Sequence, residues 1–205
     1  MDEITHERLR EIKRSFRLYM SGPTAQSMGQ KGISYKINWG VSLPDLKKMA
    51  EEYGKDESLA LALWQENIRE CKILASLMMP VESLTDELME TWGEQINSQE
   101  MAELLAFNLL QYWTNAPQLA CRWMKSGNEM QQIVAYQLLA RLFANGLKLE
   151  EVELQDYLVH ATGALKCKHL GVRHAATNSL YRMMDLGEAY REKVDTVLQG
   201  LDGIF

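Results

Sequence analysis

One segment type recurs three times along the chain. It reads Ile68-Arg69-Glu70-Cys71-Lys72-Ile73-Leu74-Ala75, then Met130-Gln131-Gln132-Ile133-Val134-Ala135-Tyr136-Gln137, then Val172-Arg173-His174-Ala175-Ala176-Thr177-Asn178-Ser179. Each copy follows a run with Trp or Leu-Lys: Leu63-Trp64-Gln65, Arg122-Trp123-Met124 and Ala164-Leu165-Lys166. The copies begin 62 and 42 residues apart, and the longer gap has room for one more pair. A helix pair of about 40 residues cannot bury its own apolar face, so such units stack on their neighbours.

Breaks in the pattern fall between the expected helices. Ser42 is placed to cap a helix that starts at Pro44 and runs through Tyr53. Thr114-Asn115-Ala116-Pro117, Ser126-Gly127-Asn128, Asn145-Gly146 and Asp185-Leu186-Gly187 separate later helices. The segment from Glu150 to Thr162 opens on acidic residues, which suit a helix N-terminus. Together these features predict an all-α fold, a HEAT-like helical-repeat solenoid (an α-α superhelix), with an ordinary helical bundle as the competing arrangement. The expected organisation is one domain over residues 1–205, with N-terminal helices in 1–40 and HEAT-like repeats in 41–200.

Composition narrows the function classes. Hydrophobic residues make up 46 % of the chain, enough for a sizeable core. The first twenty residues are charged, and no apolar run approaches the roughly 18 residues of a membrane span. Cys71, Cys121 and Cys167 lie far apart in helical patterns. They read as buried, reduced thiols of a cytoplasmic protein. Twelve methionines are expected to fill core gaps. The net charge of −6 is uneven: residues 1–48 carry +4, residues 49–120 carry −10, and residues 121–205 carry 0. An acidic middle disfavours phosphate there.

From Ile4 to Met20 the pattern is amphipathic, with Leu9, Ile12, Phe16 and Tyr19 on one stripe and Thr5 as a possible cap. Arg10, Lys13, Arg14 and Arg17 form a basic stripe, either a solvated face or a phosphate contact. Ser21 or Thr24 can start a short second helix. The stretch from Gly29 to Trp39, with Gly29, Gly32, Lys31 and Lys36, reads as a loop. Neither a GxGxxG nor a P-loop occurs, so a nucleotide site has no support. The tail from Leu201 to Phe205 suggests no role.

The most informative stretch runs from Met89 to Trp113. Leu88, Trp92, Gln95 and Ile96 recur at helical spacing, and so do Met101, Leu104, Leu105, Asn108, Leu109 and Trp113. Ser98 is the expected N-cap of the second helix, with Gln99, Glu100 and Glu103 in its first turns. The order Trp92…Asn97-Ser98-Gln99-Glu100-Met101-Ala102-Glu103 resembles the "W…NSWDLCD" signature of the AlkD-like DNA alkylation repair family. Further similarity lies in Gly40-Val41-Ser42-Leu43-Pro44-Asp45-Leu46-Lys47-Lys48 and in Ala60-Leu61-Ala62-Leu63-Trp64 with Ile68-Arg69-Glu70. Trp123-Met124-Lys125-Ser126 and Val172-Arg173-His174-Ala175 complete it, from about residue 33 to about residue 185.

The resemblance implies a protein that holds DNA in a concave cleft. In the active family, two aromatic rings and one carboxylate stabilise a cationic sugar while an alkylated base leaves. Carried onto this sequence, the first tryptophan falls at Gln99, the carboxylate at Glu103 and the second tryptophan at Asn178. A DNA-backbone arginine falls at Gln131 or Gln132. Amides offer no π face to a cation and no charge to phosphate. A divergent, DNA-binding member with weakened excision is therefore expected. Two rivals stand beside it: a working glycosylase that uses Glu103 with Trp92 or Trp113 in place of a lost ring, and a protein-binding scaffold. Glu103 also reads as an ordinary first-turn carboxylate.

Cations gather at one handover between helices: Lys166, Lys168, His169, Arg173 and His174, with Lys125 and Ser126 ahead of another helix start. Such positions suit phosphate. The spacing Cys167-x-His169-x4-His174 lacks a fourth ligand, so no metal is expected. No cofactor motif and no hydrolase signature appear. The expected partner is double-stranded DNA, alkylated or abasic, with a protein partner as the alternative and no membrane.

Overall fold

The computed structural model describes residues 2–31 and 35–200. Gly32, the first residues of the resemblance and the tail from Leu201 lie outside the described residues. Twelve α-helices follow one another among these residues. They are α1 (Glu3–Tyr19), α2 (Gly22–Gln30), α3 (Leu43–Tyr53), α4 (Glu57–Gln65), α5 (Arg69–Met78) and α6 (Asp86–Glu94). Then come α7 (Gln99–Asn108), α8 (Ala116–Trp123), α9 (Glu129–Ala144), α10 (Glu151–Leu165), α11 (Leu170–Met184) and α12 (Glu188–Gln199). The extended pairing among the described residues is an isolated parallel bridge between Ile37 and Ile68. Two compact units divide the chain, one up to Leu88 and one from Met89.

Most helix starts follow the capping chemistry. Ser42, Asp56, Ser98 and Asn128 each accept a hydrogen bond from a backbone N–H of the first turn. At α1 the cap is Asp2, not Thr5. Its carboxylate accepts from the Thr5 N–H at 2.8 Å and from the Thr5 hydroxyl at 3.0 Å. Thr5 is thereby one turn inside the helix and buried. The helix expected to reach Trp113 stops at Asn108. Leu109, at φ −131° and ψ −61°, leaves helical geometry and a 3₁₀ turn over Leu110–Tyr112 follows. Leaving the helix there lets Leu109 and Leu110 both be fully buried. Cys71 is buried as expected, but Cys121 and Cys167 are only half-buried.

In the first unit, α4 and α5 pack together, with α1 against α4 and α3 against α5. A buried ion pair sits at its centre. The Glu70 carboxylate, 0 % exposed, accepts from the backbone N–H groups of Trp39 and Val41 at 3.2 Å each. Arg69 meets it at 3.3 Å and donates to the Val41 carbonyl. Lys72 donates to the Trp64 carbonyl at 2.9 Å and lies 4.3 Å above that indole. Burial holds the Lys72 ammonium below its usual range.

In the second unit α9 is the hub, packed against α7, α8 and α11. Gly93 of α6 allows close approach. A Cβ there would lie 2.6 Å from the Trp123 ring, whose N–H donates to Glu90 at 2.9 Å. Tyr157 and Ser179 share a buried hydroxyl–hydroxyl bond of 2.7 Å, and Tyr157 meets Phe143 edge-on at 5.3 Å. Three helices of this unit run the same way. A Cβ on Gly171, near the start of α11, would lie 2.6 Å from Gln99 Oε1 at the start of α7 and 3.0 Å from Ile133 Cδ1 in the second turn of α9. Asn178 meets Gln137 midway along, and Arg141 meets Phe107 further on. Parallel second helices are what stacked helix pairs produce.

Candidate functional site

The parallel helices α7, α9 and α11 present one shared face. Along α7 the spacing of four puts Gln99, Glu103 and Phe107 on it, exposed or half-exposed. From α9 come Gln137 and Arg141, and from α11 Leu170, His174, Asn178 and Tyr181. The Gln99 amide donates to Glu103 Oε1 at 2.8 Å. The Asn178 amide donates to Gln137 Oε1 at 3.1 Å. Arg141 donates through Nε to Gln111 at 3.1 Å and lies 4.7 Å over the Phe107 ring. The structure thus gathers all three positions singled out for catalysis, Gln99, Glu103 and Asn178, onto one face as two separate hydrogen-bonded pairs.

Between α7 and α9 this face is cleft. A cavity of about 260 Å³ is lined by Glu103, Leu104, Ala106, Phe107, Gln137 and Arg141. Trp92 and Trp113, the rings expected to substitute for a lost tryptophan, are only 1 % and 8 % exposed. Their rings are packed in the core and not offered to a substrate.

The residues singled out for DNA contact divide by what they already bind. Gln131 accepts from the Ser126 hydroxyl at 2.5 Å, and Gln132 donates to the Ser126 carbonyl at 2.5 Å. Both amides thus staple the loop that begins α9. Lys125 pairs with Asp156 at 2.6 Å, and Asp156 also lies 3.5 Å from His160. Arg173 turns back, donating to the carbonyls of Cys167 and Lys168 at 2.7 and 3.0 Å, where it closes the end of α10. Lys166 and Lys168 are exposed, and no ion pair with either is found among the described residues. His169 keeps a buried Nδ1 without a hydrogen-bond partner, while its Nε2 stands 4.0 Å from Glu129. Among the described residues, no group of three or more His, Cys, Asp or Glu could hold a metal ion.

Phe107, Gln137, Arg141 and Tyr181 were not legible as site residues. One signal existed for Phe107. The buried stripe of α7 follows Met101, Ala102, Leu105 and Ala106, so this phenyl ring falls outside it.

Known proteins agree with this architecture. The family described as "DNA alkylation repair enzyme" matches residues 12–184. A solved structure described as "A new family of proteins related to the HEAT-like repeat DNA glycosylases with affinity for branched DNA structures" superimposes with a TM-score of 0.81. It is 15 % identical, and the match covers 93 % of this chain and 82 % of that one. At that identity the likeness establishes the fold, an all-α HEAT-like repeat. No curated protein matches the sequence. Among the described residues, no helix is long and apolar enough to cross a membrane.

Proposed function

We infer the function from one premise: the chain belongs to the DNA alkylation repair enzyme family. We propose that it binds DNA through backbone contacts at the helix starts of its second unit and does not excise alkylated bases efficiently. One observation carries this reading. Where the resemblance implies two rings beside a carboxylate, this chain has Gln99 bonded to Glu103 and Asn178 bonded to Gln137. An amide cannot offer the cation–π attraction that a positively charged sugar or purine needs. Misplacing a catalytic group by about 1 Å costs roughly a hundredfold in rate.

Lys166 and Lys168, with the adjoining start of α11, supply the positive surface for phosphate. The family with the similar solved structure is described as having affinity for branched DNA structures. That supports branched DNA as the form bound here, in preference to a plain alkylated or abasic duplex. Three free cysteines suit a reducing compartment such as the cytoplasm.

The test is fluorescence anisotropy with linear, three-way and four-way DNA across a salt series. The expected result is salt-dependent binding, tightest for branched forms. Replacing Lys166 and Lys168 with Ala should lower the log–log salt slope by about two, one per lysine. Incubation with an alkylpurine duplex should leave the base in place. Base release that disappears in Glu103→Gln would overturn the non-excising reading. A second reading, a protein-binding scaffold, draws on the −10 charge of residues 49–120, and the absence of DNA binding even at low salt would favour it.

A further inference from the structure

We propose that the cleft between α7 and α9 is a slot for one unpaired guanine of a DNA partner. The proposal rests on the DNA-binding reading above and names what that face recognises. Size comes first. At about 260 Å³ the cleft lies below the roughly 300 Å³ at which pockets for drug-sized ligands begin, which suits one flat ring system.

Its walls are suited to a base. Leu104 and Phe107 supply the apolar surface. Phe107 is 41 % exposed in a chain that buries Trp64, Trp92 and Trp123 almost completely. The Arg141 guanidinium at 4.7 Å extends that ring into a cation-backed platform. Unstacked bases are held on aromatic rings and guanidinium planes of this kind.

The hydrogen bonds left unused define which base. Glu103 gives one carboxylate oxygen to Gln99, which leaves the other as an acceptor. Gln137 uses its carbonyl on Asn178, so its amide N–H groups remain as donors. Arg141 spends Nε on Gln111 and keeps its terminal N–H groups. The slot therefore sets an anionic acceptor on α7 against donors on α9. Guanine is complementary: N1–H and the 2-amino group are neighbouring donors, while O6 and N7 are acceptors. Adenine and cytosine each place a ring-nitrogen acceptor beside their amino group, and thymine flanks its one N–H with two carbonyls. Each of these would turn a lone pair toward the Glu103 carboxylate. A base left unpaired at a branch point has no pair to break, so the cost of extrusion is low there.

The experiment is anisotropy on the full-length protein with three-way junctions carrying a single unpaired G, A, C or T at the branch. The expected result is a preference for G of about tenfold or more, the discrimination of one good two-point base contact. Glu103→Gln should abolish that preference and, by removing a negative charge, tighten binding to plain duplex. Phe107→Ala should lower affinity for the G junction to that of the others. Lys166→Ala with Lys168→Ala should weaken all four junctions alike. Equal affinity for the four junctions, or a uniform loss in Glu103→Gln, overturns the slot and leaves DNA binding standing. Absence of binding to every DNA overturns both.

Discussion

The helix α5 and the face shared by α7, α9 and α11 use polar side chains in opposite ways. On α5, Arg69, Glu70 and Lys72 are 2 %, 0 % and 6 % exposed, and each bonds to backbone groups. On the shared face, Gln99, Glu103, Gln137 and Asn178 remain open or half-open and bond to one another. A charge taken fully out of water survives only with all its bonds made, so it becomes part of the architecture. A half-open amide pair keeps spare donors and acceptors, and those are what a ligand can use. Polar residues thus mark fold in one region and recognition in the other.

The sharpest way to break the comparison is Glu70→Ala. It leaves Arg69 buried beside an unpaired cavity and frees the N–H groups of Trp39 and Val41. The expected loss is about 3–5 kcal/mol, the range for breaking a buried pair by removing one partner. Chemical denaturation measures it. A loss below about 1 kcal/mol, the worth of an exposed pair, would show that burial does not set the role of these charges.

The opposite end of the comparison is Asn178→Ala or Gln99→Ala. Each removes a half-open amide whose partner can turn to water, so stability should change by no more than about 0.5 kcal/mol. DNA affinity is the property expected to move, since Gln137 and Glu103 would then lose the bond that orients them. Equal denaturation midpoints with altered junction binding would sharpen the division. A stability loss comparable with that of Glu70→Ala would erase it.

Much of this fold was written locally. Ser42, Ser98 and Asn128 announce helix starts by chemistry that acts within three residues, Gly146 marks the end of α9 through positive φ, and Gly187, also at positive φ, is the N-cap of α12. Glu70 was not legible as a core residue. Its carboxylate is satisfied by Trp39 and Val41, about thirty residues earlier, and no spacing rule reaches that far. The site was half legible for the same reason. Gln99, Glu103 and Asn178 came from the resemblance and do share a face. Gln131 and Gln132 came from the same resemblance, yet both amides turn to Ser126, a choice set by the loop before α9. Arg141 and Gln137 join the face through packing of α9 against α7 and α11, which no single helix specifies.

The smallest effect tests the exposed limit of the comparison. Glu151, in the first turn of α10, takes two bonds of 2.7 Å from Lys193 of α12 and one of 3.0 Å from Gln155. The Lys193 bond, followed by that of Gln155, holds the Glu151 carboxyl below its ordinary value of 4.5. The folded chain therefore releases this proton more readily than the unfolded one. Whatever the pair contributes is present above about pH 4.5 and fades as the pH falls through the folded value. Glu151→Gln should thus lower the midpoint slightly at pH 7, with the difference from the parent closing on acidification. Salt should shrink it too, because both partners face water. The closing difference isolates the pair from the many other carboxylates that titrate in both proteins. Should the gap stay constant from neutral to acid pH, the ion pair contributes nothing there, and packing alone holds α12 on α10.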